Sequence, residues 1–320
     1  MSVITNWPAV PNRLYLLLKQ LASQPKGKGI TRENLAGLMN PPSLTKGKKT
    51  NILSEVLNEA MRLNLVVEEI ANETGEKRLQ LASDVQNLNE LGFIRLMEQR
   101  LLQELSDPSW NRGRFPEALT WFLMQDPLKP LMWDKNVRFM VETDMGEQSE
   151  SFELTNKSSF QNLVYWARFL GYAVKLGFTA IEPSEDADID EDESQIADQD
   201  AIKATAYVLP DPTVAIARHL PTIFGDKSQL SVSNFIQAWA SLLPVLEGGV
   251  IRESLEKQAR LELARQAQTF SRTSSLALRR LAQRGVINLQ TFSDANMYLL
   301  DYGRETSRVS HIAYFVEKQV

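Results

Sequence analysis

The sequence predicts a mainly helical α+β protein, with winged helix-turn-helix units at its N- and C-terminal ends around a helical middle. Two observations indicate this fold class. Apolar residues recur at helical spacing over much of the chain. At each end, a helix leads directly into two short strands separated by a polar turn, which is how a winged helix ends. With 320 residues, the chain is long enough for two or three domains.

The predicted N-terminal winged-helix domain covers residues 1–84. Pro11 fits the first turn of a helix at about 11–24, and Thr31 can cap a short second helix. A third helix is expected at about 51–64, followed by the strands "LVVEEIA" and "RLQLA". The connection between the second and third helices is about ten residues, which departs from the tight turn of a helix-turn-helix.

The predicted C-terminal winged-helix-like domain covers residues 251–320. The stretch 278–303 repeats the shape of 57–82, with Asn64 and Gly285 at equivalent positions. Both residue types favour the position just after a helix. A long helix over 252–271 is expected to precede this second unit.

The middle, residues 85–250, is predicted to be helical and acidic. Its expected elements are helices at 87–106, 114–125, 158–177, 212–225 and 231–243 and a strand in "KATAYVLPDP". Residues 182–200 carry ten acids and no base. Such a segment is typical of a solvated, flexible loop.

Charge is distributed unevenly along the chain. The net charge of −5 divides into +4 for residues 1–82, −13 for 83–250 and +4 for 251–320. Two mildly basic ends therefore flank an acidic centre, which argues against a uniform nucleic-acid-binding surface.

Composition excludes several classes of protein. The sequence has no run of about 18 apolar residues, so no transmembrane helix is predicted. Its start lacks the basic residues of a signal peptide. Cysteine is absent, which removes disulfides, thiolate nucleophiles and cysteine-based metal sites. We expect a cytoplasmic protein that does not contact a membrane.

Catalytic patterns are weak. The two histidines, His219 and His311, have no partner at ligand spacing, so structural roles are favoured over metal binding. No glycine-rich phosphate loop occurs. We expect a protein that is not an enzyme, with no cofactor and no metal site. An unrecognised carboxylate site stays open, because the many acids of the middle do not single out a pair.

Basic loop residues near the N-terminus are the first candidates for nucleic-acid contact. Loops of this kind can hold phosphates without reading bases. The alternative is that these lysines only keep the loops soluble. The residues are Lys26, Lys28, Lys46, Lys48 and Lys49.

The third helix carries two glutamates on its predicted exposed face. Carboxylates there disfavour phosphate contact, although a glutamate can accept a hydrogen bond from cytosine. This face is therefore predicted to bind a protein partner. Its residues are Glu55, Asn58, Glu59 and Arg62.

The C-terminal unit offers the better nucleic-acid face. From Lys257 to Arg284 there are seven bases and one acid, and Arg, Gln and Ser side chains hydrogen-bond base edges and phosphates. Ser275, Arg279 and Gln283 are expected to face outward. The alternative is a basic helix docked on the acidic middle of the same chain or on a partner. The candidate residues are Arg272, Ser275, Arg279, Arg280, Gln283 and Arg284.

Four strings resemble one known family: "PNRLYLLLKQLAS", "NPPSL", "VLNEAMRLNLV" and "YVLPDPTVAIARHLPTIFG". They are similar to the DpdG family, over roughly the first 65 residues and a patch near 207–225. The resemblance implies a bacterial cytoplasmic protein from gene clusters that install 7-deazaguanine derivatives in DNA and act in defence. It carries no catalytic residue over to this chain.

Two functions follow as hypotheses. The first is a non-catalytic DNA-binding or recruiting subunit of a bacterial DNA modification and anti-phage defence system, with DNA and other subunits as partners. The alternative is a winged-helix adaptor that assembles proteins without touching DNA. The sequence does not define the preferred DNA sequence or modification, the partner proteins or the oligomeric state.

Overall fold

A computed structural model describes residues 2–25, 28–39, 52–70, 75–85, 88–103, 113–178, 205–259 and 267–315. Within these ranges, α-helices are combined with small antiparallel sheets, which confirms the α+β class. None of the helices in these ranges has the length and apolar character needed to cross a lipid bilayer.

The N-terminal elements follow the predicted order. Helix α1 buries Leu14, Leu17 and Leu18 on one face, as its apolar spacing predicts. The two strands pair antiparallel, and Ile30 forms a bridge to the second of them. The elements are α1 (Pro11–Ala22), α2 (Arg32–Met39), α3 (Ile52–Arg62), β1 (Val66–Ile70) and β2 (Lys77–Leu81).

The described residues of the middle form helices and a three-stranded sheet of order β3-β5-β4. Strand β3, helix α6 and a 3-10 helix at Gly146–Phe152 were not predicted. The elements are α4 (Glu90–Leu102), α5 (Phe115–Met124), β3 (Leu131–Met132), α6 (Arg138–Met145), α7 (Lys157–Phe169), β4 (Ala173–Phe178), β5 (Thr205–Pro210), α8 (Thr213–Phe224), β6 (Gln229–Ser231) and α9 (Val232–Leu242).

The expected helix over 158–177 is wrong in its second half. Gly171 has a φ of +83°, a left-handed conformation that ends a helix. The Tyr172 amide then donates to the Ala167 carbonyl at 2.7 Å. Residues after Tyr172 form β4, which pairs antiparallel with β5.

The described residues of the C-terminal region form two helices and four strands. The predicted helix over 252–271 is too long, because Ala259 is already extended and the Phe270 amide donates to the Leu299 carbonyl. The elements are α10 (Val250–Gln258), α11 (Arg272–Gln283), β7 (Ile287–Gln290), β8 (Tyr298–Asp301), β9 (Thr306–Val309) and β10 (His311–Tyr314).

Three helices end in the same way before a strand. Asn64 after α3 and Gly285 after α11 have φ values of +50° and +71°, as their residue types predict. Gly171 after α7 is a third instance, which the comparison of residues 57–82 with 278–303 did not reveal. In each case the amide of the residue directly after the left-handed one donates to a carbonyl in the last turn of the helix.

The strand pairing at the C-terminus differs from the predicted hairpin. Strand β7 does not pair with β8; β10 lies between β6 and β7, and β8 pairs with β9. Ile312 of β10 is fully buried and lies opposite Leu230 on one side and Leu289 on the other. The resemblance between 57–82 and 278–303 therefore holds for helix, turn and strand, but not for pairing.

Contacts cross both predicted domain boundaries. The Trp166 indole donates to the Ala9 carbonyl at 3.0 Å, and the Asn162 amide donates to the Ile4 carbonyl at 2.9 Å. The β6–β10 pairing joins the middle to the C-terminal region. The division into domains at residues 84 and 250 stays a prediction. The acidic segment 182–200, predicted to be a flexible loop, lies outside the described residues.

Candidate nucleic-acid interface

Helix α11 is fixed at its start by a buried carboxylate. Glu247 is 1% exposed and accepts hydrogen bonds from the Ser271 amide at 2.9 Å and the Ser274 hydroxyl at 2.6 Å. Burial alone would raise the pKa of Glu247, but the Arg252 charge and these hydrogen bonds outweigh it, so the pKa lies below its ordinary value. The Glu247 carboxylate therefore fixes the first turn of α11 through these two hydrogen bonds.

Two arginines of α11 are held by carboxylates of other segments. Arg272 contacts Asp126 at 2.5 Å and Asp301 at 3.1 Å. Arg280 contacts Asp211 at 2.5 Å. Since Asp126 and Asp211 lie in the acidic middle, this part of the helix docks on its own chain, as the alternative interpretation of the sequence proposed.

The expectation that Ser275 faces outward is wrong. The residue is fully buried, and its hydroxyl accepts from the Asp301 amide at 2.9 Å and donates to the Phe270 carbonyl. A serine on the inner face is stable there because its polar group is hydrogen-bonded.

The remaining predicted residues of α11 are accessible. Arg279 is 40% exposed; its guanidinium lies 4.6 Å from the centre of the Tyr302 ring and forms an ion pair with Glu305. Gln283 and Arg284 are exposed. The predicted outward position is therefore confirmed for Arg279 and Gln283.

The hairpin of β8 and β9 adds two exposed arginines, Arg304 and Arg308, that the sequence reasoning missed. The two arginines in the string "GRETSR" could have indicated these candidates in the sequence. Within the part of the chain that the structure describes, neither they nor Arg284 form an ion pair. We call the following residues the helix–hairpin surface: Arg279, Gln283, Arg284, Arg304 and Arg308.

The N-terminal loop lysines are largely outside the described residues: Lys26, Lys46, Lys48 and Lys49 have no described position. Lys28 is exposed, and its carbonyl accepts a hydrogen bond from Arg78 at 2.9 Å. Among the residues with a described position, none forms an ion pair with the Lys28 ammonium group.

The predicted partner face of α3 is only partly exposed. Glu55 and Asn58 are exposed, whereas Glu59 is 2% exposed, so its predicted outward position is wrong. Arg62, mostly buried, forms an ion pair with Glu59, and the Asn6 amide donates to the Glu55 carbonyl at 3.1 Å. The segment before α1 covers this side of the helix.

Both histidines make structural contacts. His219 Nε2 lies 3.2 Å from a Glu98 carboxylate oxygen, and the other oxygen contacts Arg218 at 2.5 Å. The His311 ring packs edge-on against Phe292. In the described ranges, no group of three or more His, Asp or Glu side chains is placed to hold a metal ion.

The structure thus defines an α+β protein with exposed arginines at the end of α11 and on the β8–β9 hairpin. Residues 1–295 match the model of a family described as DpdG-like, and the chain belongs to this family. The match extends the resemblance noted from four short strings to most of the chain. Membership connects the protein with the DNA modification and defence system with which that family is associated. No curated protein and no solved structure matches the chain.

Proposed function

We propose that the protein is a non-catalytic, cytoplasmic subunit that binds DNA, or recruits it, for a modification and defence system. One observation carries this proposal. Arg284, Arg304 and Arg308 are exposed and, among the described residues, have no carboxylate partner. Exposed arginines without internal ion pairs are free to contact phosphates.

The contacts on DNA follow from side-chain chemistry. Gln283 is suited to hydrogen bonds with an adenine edge, while Arg284, Arg304 and Arg308 anchor the backbone. Arg279 would exchange Glu305 for a phosphate. In this proposal the helix and hairpin act as a winged helix-turn-helix unit, and the loop lysines add phosphate contacts.

The test is a fluorescence titration of duplex DNA at several salt concentrations. The triple variant Arg284→Ala/Arg304→Ala/Arg308→Ala should bind more weakly at every salt concentration. Its salt dependence should also be shallower, by up to about three counterions, since each phosphate contact contributes about one.

A matched control removes three exposed charges elsewhere: Arg95→Ala/Lys227→Ala/Lys257→Ala. This control should retain both affinity and salt slope. Equal losses in the two triple variants, or no binding by the unaltered protein at low salt, would reject the helix–hairpin surface as the DNA site.

The non-catalytic part of the proposal has its own test. The contacts of His219 and His311 support structural roles for both residues. We expect duplex DNA incubated with the protein and Mg²⁺ or Mn²⁺ to remain unchanged in length and base composition. A product that disappears with chelator would show that the protein is an enzyme.

A second candidate function is that of a protein adaptor. Apolar side chains are exposed on three N-terminal elements: Leu38 (56%), Ile52 (37%) and Ile70 (65%). Exposed apolar residues, together with the exposed carboxylate of Glu55 on α3, favour a protein partner over DNA. Co-purification with the products of neighbouring genes tests this; Leu38→Asp/Ile70→Asp should abolish a stoichiometric complex. A complex without DNA affinity would favour the adaptor over the first proposal.

A further inference from the structure

A cavity of about 690 Å³ lies between the N-terminal segment, α7 and β4. Its wall combines three aromatic residues, of which Phe169 is one, with three cationic ones. No Asp or Glu is among the described residues that line it. The residues that matter are Trp7, Arg13, Tyr165, Arg168 and Lys175.

The three cations come from separate elements and are not neutralised. Arg13 donates to the Pro8 carbonyl, and its guanidinium lies 5.7 Å from the centre of the Trp7 ring. Lys175 Nζ lies 3.7 Å from the centre of the Trp133 ring. In the ranges that the structure describes, no ion pair involves Arg13, Arg168 or Lys175. Three positive charges therefore converge on one cavity.

The surroundings of Lys175 disfavour its positive charge. Burial and, after it, the charge of Arg168 hold the pKa of Lys175 below its ordinary value. Like charges kept together without a counter-charge favour binding of an anion, because the anion removes the repulsion.

The N-terminus of α1 adds to the positive potential. Val10, Pro11 and Asn12 line the cavity, and Val10 provides no side-chain cap. Pro11 has no amide hydrogen, and the Arg13 amide already donates to the Val10 carbonyl at 3.1 Å, so the contribution of this terminus is that of the helix dipole, whose positive end favours anions. This effect supplements the three side-chain charges.

The aromatic residues offer accessible surface for stacking. Trp7 is 51% exposed and Tyr165 is 41% exposed. Tyr165 is held by an edge-on contact with Trp133, with ring centres 5.0 Å apart. Aromatic side chains beside cations are the combination that binds nucleotides: bases stack on the rings and phosphates contact the charges.

We propose that this cavity binds a nucleotide, with the base on Trp7 or Tyr165 and the phosphate at Arg168 and Lys175, assisted by Arg13. Its volume lies within the range of small-molecule sites. The cavity shares no residue with the helix–hairpin surface, so this proposal can be tested independently of the proposed function.

The first experiment measures binding of the four deoxynucleoside 5′-monophosphates by calorimetry on the full chain. Inorganic phosphate, the four nucleosides and phosphotyrosine serve as comparisons. At least one nucleotide should bind roughly tenfold more tightly than phosphate or its own nucleoside, because stacking and charge both contribute. Equal binding of phosphate, tighter binding of phosphotyrosine or no nucleotide binding would overturn the proposal.

The variants separate the two kinds of contact. Arg168→Gln/Lys175→Gln should weaken nucleotide binding roughly tenfold and leave nucleoside binding little changed. Trp7→Ala should also weaken nucleotide binding roughly tenfold, and Trp7→Phe should restore part of that affinity. Arg95→Gln/Lys227→Gln is the charge-matched control. Circular dichroism of each variant confirms folding. Equal weakening by the control would overturn the assignment of the site.

A further arm identifies the source of the nucleotide. It uses 5′-phosphorylated single-stranded oligonucleotides and the variant Arg284→Ala/Arg304→Ala/Arg308→Ala, which lacks the proposed duplex-binding arginines. Tighter binding of the oligonucleotide than of the mononucleotide by this variant indicates a strand of nucleic acid. Equal or weaker oligonucleotide binding indicates a free nucleotide; both results support a nucleotide site.

Discussion

Arg280 Nη1 lies 2.5 Å from Asp211 Oδ2, and this contact ties helix α11 to the start of α8. Asp211 also accepts hydrogen bonds from the amide and hydroxyl of Thr213. One carboxylate thus stabilises the first turn of α8 and the docking of α11. The basic character of α11 serves the internal structure as well as the surface.

Arg272→Ala should destabilise the fold by about 2 kcal/mol, since it leaves the partly buried Asp126 and Asp301 without their shared cation. Urea denaturation followed by circular dichroism measures the change. Arg284→Ala, an exposed arginine without an ion pair among the described residues, should change stability by less than about 0.5 kcal/mol. Similar losses for the two variants would argue against the ion pairs as the cause.

Glu247→Gln should remove a pH-dependent part of the stability. The folded-state pKa of Glu247 lies below its ordinary value of 4.5, so its contribution is present above that pH and is lost as the pH falls through the folded-state pKa. We expect the variant to lose about 2–4 kcal/mol at pH 7 and less at pH 3.5. The exposed Glu253→Gln on α10 is the control; a loss for Glu247→Gln that does not change with pH would contradict the assignment.

Gly248→Ala should destabilise more than Gly285→Ala. Both glycines have positive φ, +76° and +71°, and an alanine in that conformation costs about 1–2 kcal/mol. A Cβ on Gly248 would lie 2.7 Å from the Ile236 side chain, whereas the space beside Gly285 is open. The overpacking adds about 1–3 kcal/mol for Gly248 alone. Thermal unfolding of both variants checks the order, and a reversed order would refute the steric argument.

Glu59→Ala and Glu55→Ala should separate stability from binding. Glu59 is buried and paired with Arg62, so its loss should cost about 2–4 kcal/mol. Glu55 is exposed, and its loss should leave stability within about 0.5 kcal/mol. If α3 contacts a partner, only Glu55→Ala should weaken a complex without changing the midpoint of urea unfolding. Comparable unfolding midpoints for both variants would contradict the burial of Glu59.

Local elements were largely predictable because they depend on local patterns. The apolar stripe of α1 and the turn residues Asn64 and Gly285 each determine structure within a few neighbours. The strand after Gly171 was missed because an apolar strand following an apolar helix has no change in composition to mark it. Val174 and Leu176 of β4 are apolar although both are exposed, so the sequence shows no alternation of apolar and polar residues there.

The surfaces were less predictable because long-range partners decide them. Ser275 and Glu59 are polar, and nothing in the neighbouring sequence indicates that Asp301 and Asn6 donate hydrogen bonds to them. The cationic cavity joins Arg13 to Lys175, residues too distant in the sequence for any local motif to connect. Charge counts along the chain identify two basic ends, but they could not distinguish arginines that form internal ion pairs from those that do not.

The order of strands β6, β10 and β7 has a consequence for synthesis of the chain. The central strand, His311–Tyr314, is translated after both of its neighbours. Until it emerges from the ribosome, β6 and β7 lack the strand that joins them, and unpaired strand edges promote association between chains. Ribosome stalling before residue 311 should therefore yield aggregation-prone nascent chains.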